Sequence, residues 1–140
     1  MSKLSEKQES LLKEERVGRL ATISKDNSIH IVPVCYVYDG ESILIGTDLH
    51  SRKIFNIKRN KNVSIVIDRY VEDWSKLKGL MIQGEAFILE SGEEFNKARK
   101  LLYEKYPQYK QQAPIEEGES AIIKISIKRV IAWDSGYWIG

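Results

Sequence analysis

Apolar and polar residues alternate along most of this chain with a period of two, and in three places the period lengthens toward that of a helix. Near the start, Ser5 with Gln8 forms a capping box ahead of a helix whose Leu11 and Leu12 supply an apolar stripe, and Gly18 lies just past its end. Arg19 to Ser24 and Ile29 to Tyr38 then read as two strands joined by the polar turn KDNS, a hairpin. Asp39-Gly40 is a second hairpin signal, leading into a strand over Ser42 to Thr47. From Thr47 to Asn60 the period changes: Ile54 and Ile57 are three apart, and Asp48 or Ser51 stands where a helix cap belongs.

Strand character returns over Asn62 to Tyr70, where Val63, Ile65 and Ile67 alternate, and VEDWSKLKG reads as a loop. Gly79 to Glu90 is a longer strand interrupted by Gly84, the mark of a bulge or bend. Ser91 and Glu94 predict another capping box, followed by Phe95, Ala98, Leu101, Leu102 and Lys105 at helical spacing, and Pro107 stops that helix. After a polar loop through Pro114 and Gly118, Ser120 to Lys128 and Val130 to Trp133 read as two last strands. The order α-β-β-β-α-β-β-α-β-β predicts a mainly β, α+β domain, an antiparallel barrel with flanking helices. The regular βα alternation of a doubly wound parallel sheet is absent.

Composition narrows the class. At 140 residues, with 42% hydrophobic and 30% charged residues and no repeat or linker, one globular domain over residues 1–140 is expected. The longest nearly unbroken apolar stretch, Ile31 to Tyr38, is far short of a membrane span, and MSKLSEKQESLLKEER lacks the apolar core of a secretory signal. One cysteine cannot close an internal disulfide, so a reducing, cytoplasmic setting is expected, and one Cys with two His cannot build a Cys/His zinc site.

Charge changes the picture more. The 22 basic and 20 acidic side chains give a net +2, yet Arg52, Lys53, Lys58, Arg59 and Lys61 fall between Asp48 and Asp68 with no acid among them. Without those five, the remaining 17 basic residues face 20 acidic ones. The segment Thr47-Asp48-Leu49-His50-Ser51-Arg52-Lys53 is a strand end running into a helix start, where free N–H groups and the helix dipole favour an anion. Hydroxyls of Thr47 and Ser51 and cations of Arg52 and Lys53 are the groups a phosphate needs. A solvated basic helix face is the plainer reading of the same residues, and no Walker or GxGxxG pattern accompanies them.

Read together, RVGRLATIS, IVPVCYVYDGESILIGTDLHSRKIFNIKRNKNVSIVID and LMIQGEAFILESGEEF resemble the pyridoxamine-5′-phosphate-oxidase-like split β-barrel superfamily. The similarity is greatest to its small members described as deazaflavin (coenzyme F-420)-dependent oxidoreductases. The resemblance implies a homodimer with two flavin-type cofactors, each bound in a groove between subunits. It also implies hydride transfer at the cofactor ring rather than catalysis by a side-chain nucleophile. Arg19, Leu20, Ala21 and Thr22 match the strand along the tricyclic ring, and Val32, Pro33 and Val34 the strand on its neighbouring edge. Thr47, Ser51, Arg52 and Lys53 match the phosphate-binding junction. Gln83 matches a polar position that reaches the cofactor from the partner subunit, and Trp74 a loop near the partner's cofactor.

FMN and the deazaflavin coenzyme share a tricyclic ring, a ribityl chain and a first phosphate, so both stay open as the cofactor. The longer deazaflavin tail needs extra cations, for which Lys58, Arg59 and Lys61 are available. Of the remaining residues, Cys35 in an apolar strand reads as a buried structural thiol. His30, out of phase with Ile29 and Ile31, reads as facing away from the core, and His50 lies beside the phosphate junction. Trp133, Tyr137 and Trp138 form an aromatic C-terminus suited to core or dimer packing. Three functions follow: an oxidoreductase acting on a small organic substrate, a non-catalytic carrier or sensor of the cofactor, and a nucleic-acid-binding barrel. The last is disfavoured because aromatics are not interleaved with the basic residues.

Overall fold

A computed structural model describes residues 4–134. The element order is α1 (Glu6–Glu14), β1 (Gly18–Ile23), β2 (Ile29–Val34), β3 (Val37–Tyr38), β4 (Ser42–Asp48), α2 (Arg52–Arg59), β5 (Asn62–Arg69), β6 (Lys78–Leu89), α3 (Gly92–Lys105), α4 (Tyr109–Gln112) and β7 (Ser120–Asp134). The strands form one seven-stranded sheet in the order β2-β1-β5-β6-β7-β4-β3, and every described pairing is antiparallel. The outcome is a strongly curled half-barrel with helices at its flanks.

Most local signals act as expected. Ser5 caps α1, with Gln8 reciprocating on the Ser5 N–H at 2.9 Å. Gly40 takes a positive φ of 101° in the turn between β3 and β4, where a side chain would be strained. Other signals are diverted. Ser91 occupies the N-cap of α3 without a side-chain cap bond, and Glu94 instead accepts from Lys124 at 2.7 Å. The predicted loop before β6 contains a turn of 3-10 helix over Trp74–Lys76, capped by Asp73. The polar loop after Pro107 contains α4.

The two expected final strands are one. β7 pairs with β6 throughout, but the register moves from Gln83↔Arg129 to Gly84↔Ile127, leaving Lys128 as the extra residue of a β-bulge. Ile123, Ile125 and Ile127 face the core before the bulge and Val130 faces it afterwards, so the phase of alternation resets there. That reset made the sequence look interrupted.

Two cores hold the sheet. The larger lies inside the curl and joins Leu11 and Leu12 of α1, Ile54 and Ile57 of α2, and inward residues such as Leu20, Ile65, Ile82 and Ile125. The smaller packs Phe95, Ala98 and Leu102 of α3 on Leu44 and Ile122, covering the outer face at the β4–β7 end. No described element covers the outer face of β2, β1 and β5.

Between β2 and β3 the strand is broken at Cys35 and Tyr36, and a side chain from α3's end replaces the missing ladder. The Tyr106 hydroxyl accepts from the Tyr36 N–H at 3.1 Å and directs its proton at the carbonyls of Arg16 and Tyr36, 2.8 and 2.9 Å away. Buried backbone groups need such partners. Tyr106→Phe, which keeps the ring, is expected to cost about 1–3 kcal/mol by stranding the buried Tyr36 amide. Urea unfolding measures this, and an unchanged midpoint would show that the hydroxyl carries no part of the break.

Candidate functional site

The uncovered outer face can be read row by row from the strand registers. Ile31, Ala21, Ser64, Gln83 and Arg129 lie opposite one another across β2, β1, β5, β6 and β7. The adjacent row is Pro33, Arg19, Val66, Met81 and Ile131. Residues paired across a sheet share a face, so Arg19, Ala21, Pro33 and Gln83 are brought onto one surface although they are scattered in sequence. Arg19 is tied there to Asp68 at 2.9 Å. Ile29 and Ile31 are 70% and 63% exposed, an unusual state for β-branched aliphatics on a sheet.

The alternating positions point the other way. Leu20 and Val34 are buried in the core, Val32 packs against it, and Thr22 is buried where its hydroxyl accepts from Asn56 Nδ2 at 2.9 Å. A ligand on the outer face meets these four through the backbone.

Where the rows meet the bulge, the face dips into an open groove of about 500 Å³. Ile23 and Ile29 wall one side, Ala21, Ser64 and Gly84 supply a floor of small residues, and Gln83, Glu85, Lys128 and Arg129 bring polar groups. The cations at 128 and 129 did not register in the sequence because consecutive polar residues ended an apparent strand; that break was itself the available signal. Lys61 lies at the edge, 3.6 Å from Glu85.

The strand-to-helix junction forms as expected in backbone but not in capping. Ser51 is the N-cap residue of α2, yet its side chain makes no cap bond and instead accepts from the Thr47 hydroxyl at 3.2 Å. The first turn of α2 thus keeps N–H groups with no side-chain cap, beside Arg52 and Lys53. Lys53 is half-buried, and desolvation holds its ammonium below the ordinary range despite the opposing pull of Asp48. An under-solvated cation at an open helix end suits an anion. Asp48 accepts from the His50 N–H at 2.7 Å, while His50 itself is exposed. Arg52 lines a second open groove with Ser24, Asp26 and Ser28, at the tip of the hairpin whose Ile23 and Ile29 wall the first.

Trp74 is 51% exposed at the far end of the β5–β6 pair, its indole N–H donating to the Tyr70 hydroxyl at 3.3 Å. Ser64 and Arg69 are five residues apart on β5, about 16 Å, so Trp74 is remote from its own chain's groove.

A family model described as pyridoxamine 5′-phosphate oxidase matches residues 4–134, the whole of the sheet and its helices. The chain belongs to the pyridoxamine 5′-phosphate oxidase family. Within related proteins, it is 32% identical over 93 residues to the 5a,11a-dehydrotetracycline/5a,11a-dehydrooxytetracycline reductase of Streptomyces rimosus. That match takes in 63% of this chain and 66% of the reductase, just under two thirds of its length. Among solved structures, a conserved hypothetical protein from Mycobacterium tuberculosis superposes with a TM-score of 0.80 at 27% identity, covering 94% of this chain and 86% of that one. An F420 reductase gives 0.71 at 21% identity, covering 91% and 98%. The fold also serves the heme storage protein of Vibrio cholerae, at 0.78 and 14% identity over 95% of each chain.

Two other sequence expectations are revised. His30 lies opposite Thr22 and faces inward, its Nδ1 buried without a partner, whereas Ile29 and Ile31 point outward. β2 therefore carries apolar side chains on both faces, Val32 and Val34 on the inner one with His30, and Ile29, Ile31 and Pro33 on the outer one. Cys35 is exposed, not buried, because it sits in the break that Tyr106 pins. Trp133 lies over Gly79, where a Cβ would collide with its indole, while Tyr137 and Trp138 fall outside the described residues.

Gly84 faces the bulge so closely that a Cβ would collide with the Ser126 carbonyl oxygen. Gly84→Ala is therefore expected to destabilise the fold by about 1–3 kcal/mol. It should also speed amide exchange selectively around residues 126–129. Wild-type stability with wild-type exchange would show that the strands do not need the small residue.

Proposed function

We propose that this chain is a flavin-type oxidoreductase that works as a homodimer on a small organic substrate. The observation that carries the proposal is the groove on the uncovered sheet face, in a chain of this family. A flat tricyclic ring fits a floor of Ala21, Ser64 and Gly84 with aliphatic walls, where larger side chains would hold it off the sheet. Arg19, Pro33 and the backbone of Leu20, Thr22, Val32 and Val34 lie along the same strands and would border the ring. Thr47, Ser51, Arg52 and Lys53 would hold the phosphate at the start of α2, where the uncapped first turn and the under-solvated Lys53 favour an anion. FMN and the deazaflavin coenzyme both meet these requirements, and the names of the tetracycline and F420 reductases favour the redox reading. When bound, such a cofactor supplies hydride transfer between its ring and the substrate.

The chain's own part is binding and orientation. Its aliphatic walls exclude water, Gln83 offers an amide to the ring or to a ring on the partner, and the α2 cations anchor the tail. A two-fold pairing of outer faces would cover Ile29 and Ile31 and carry Trp74 of each chain toward the groove of the other. Each site would then be completed by two copies.

Two outcomes test the proposal. Arg52→Ala and Lys53→Ala should each weaken FMN binding about tenfold or more, losing a charge-assisted contact of about 1.5–3 kcal/mol, with riboflavin affinity unaltered. Flavin fluorescence titration reads both ligands, and unchanged FMN affinity in both variants would place the phosphate elsewhere. Light scattering at micromolar concentration should give twice the chain mass of 16.2 kDa. A monomer that binds flavin would remove the shared site. Binding of heme but neither flavin nor deazaflavin would replace the redox reading with a storage one.

A further inference from the structure

The groove carries more positive charge than one cofactor phosphate at α2 requires. Lys128 and Arg129 enter it side by side because the bulge breaks the alternation of β7. In an unbulged strand, consecutive residues point to opposite faces and only one of the two would reach the groove. Glu85, also in the groove, lies 3.6 Å from Lys128 and 3.6 Å from Lys61, so a single carboxylate spans two ammonium groups. Arg129 is exposed and forms no ion pair with a described residue. Aliphatic walls beside surplus cations concentrate the field in the groove and favour an anion.

We infer that Lys128 and Arg129 form a subsite for the carboxylate or enolate of a planar organic substrate. The inference rests on the proposed placement of the cofactor phosphate at α2, which leaves the bulge cations for a second molecule. The Arg129 fork is suited to two-point contact with a carboxylate, while Lys128 adds a point charge. The small floor of Ala21, Ser64 and Gly84 admits a flat group, stacked on the sheet or on a ring already there. Glu85 moderates the subsite by competing with the ligand for Lys128.

The test compares benzoate with benzamide, planar probes of the same shape that differ in charge, by calorimetry on the full chain with and without FMN. Benzoate should bind about tenfold tighter than benzamide, and Arg129→Gln should bring the two within about threefold. Arg129→Lys, which keeps the charge but loses the fork, should fall between. Glu85→Gln should tighten benzoate and leave benzamide alone, a change that a merely structural role would not produce. Equal binding of the two probes, or an undiminished benzoate preference in Arg129→Gln, overturns the inference. So does a tenfold loss of FMN or deazaflavin-coenzyme affinity in Arg129→Gln, which would assign these cations to the cofactor. If the chain takes up neither cofactor, the functional proposal fails, while the benzoate comparison on the cofactor-free chain still decides the subsite.

Discussion

The close approach of β6 and β7 at Gly84 is the constraint on which the site depends. Without a side chain at Gly84, the Ser126 carbonyl comes within the space a methyl group would take, and β7 absorbs an extra residue just beyond. Strand phase then shifts by one. Ile127 and Val130 both reach the core, and Lys128 and Arg129 both reach the groove, an arrangement that unbroken alternation forbids. Core packing and groove chemistry are thereby set by one local irregularity.

Much of the fold was legible because its signals are local. The Ser5–Gln8 box, the Asp39-Gly40 turn and the alternation of Val63, Ile65 and Ile67 each state their structure within a few residues. Misreadings came where a distant partner decides. Ser91 and Glu94 carry the letters of a capping box, but Lys124, 30 residues on, takes the Glu94 carboxylate. Cys35 sits in an apolar run, yet it is exposed because the Tyr106 ring end, 70 residues from Tyr36, holds the chain in a break. Sequence periodicity contains no trace of that phenol.

The same distinction applies to the site. The α2 junction is contiguous, so residue types alone make it a candidate, whereas the groove gathers residues from β1, β2, β5, β6 and β7. Ala21, Pro33 and Gln83 became candidates through a resemblance, and the registers show how they share a surface. His30 and its neighbours mislead for a related reason. Periodicity reports two faces but not which is wet, and β2 carries aliphatics on both, Val32 and Val34 inside and Ile29 and Ile31 outside.

The strand order also bears on how the chain is assembled during synthesis. β4 lies between β3 and β7, and its register runs from Ser42↔Ser126 to Asp48↔Ser120. The β3–β4 hairpin therefore leaves the ribosome well before the strand that closes its open side. Through that interval the Ile43–Ile45 edge has unmet backbone donors and acceptors, the state in which chains adhere to one another. Closure must wait for a segment more than seventy positions later, so β7 seals the edge that waits longest for its partner, whereas the earlier β1 edge is met sooner by β5.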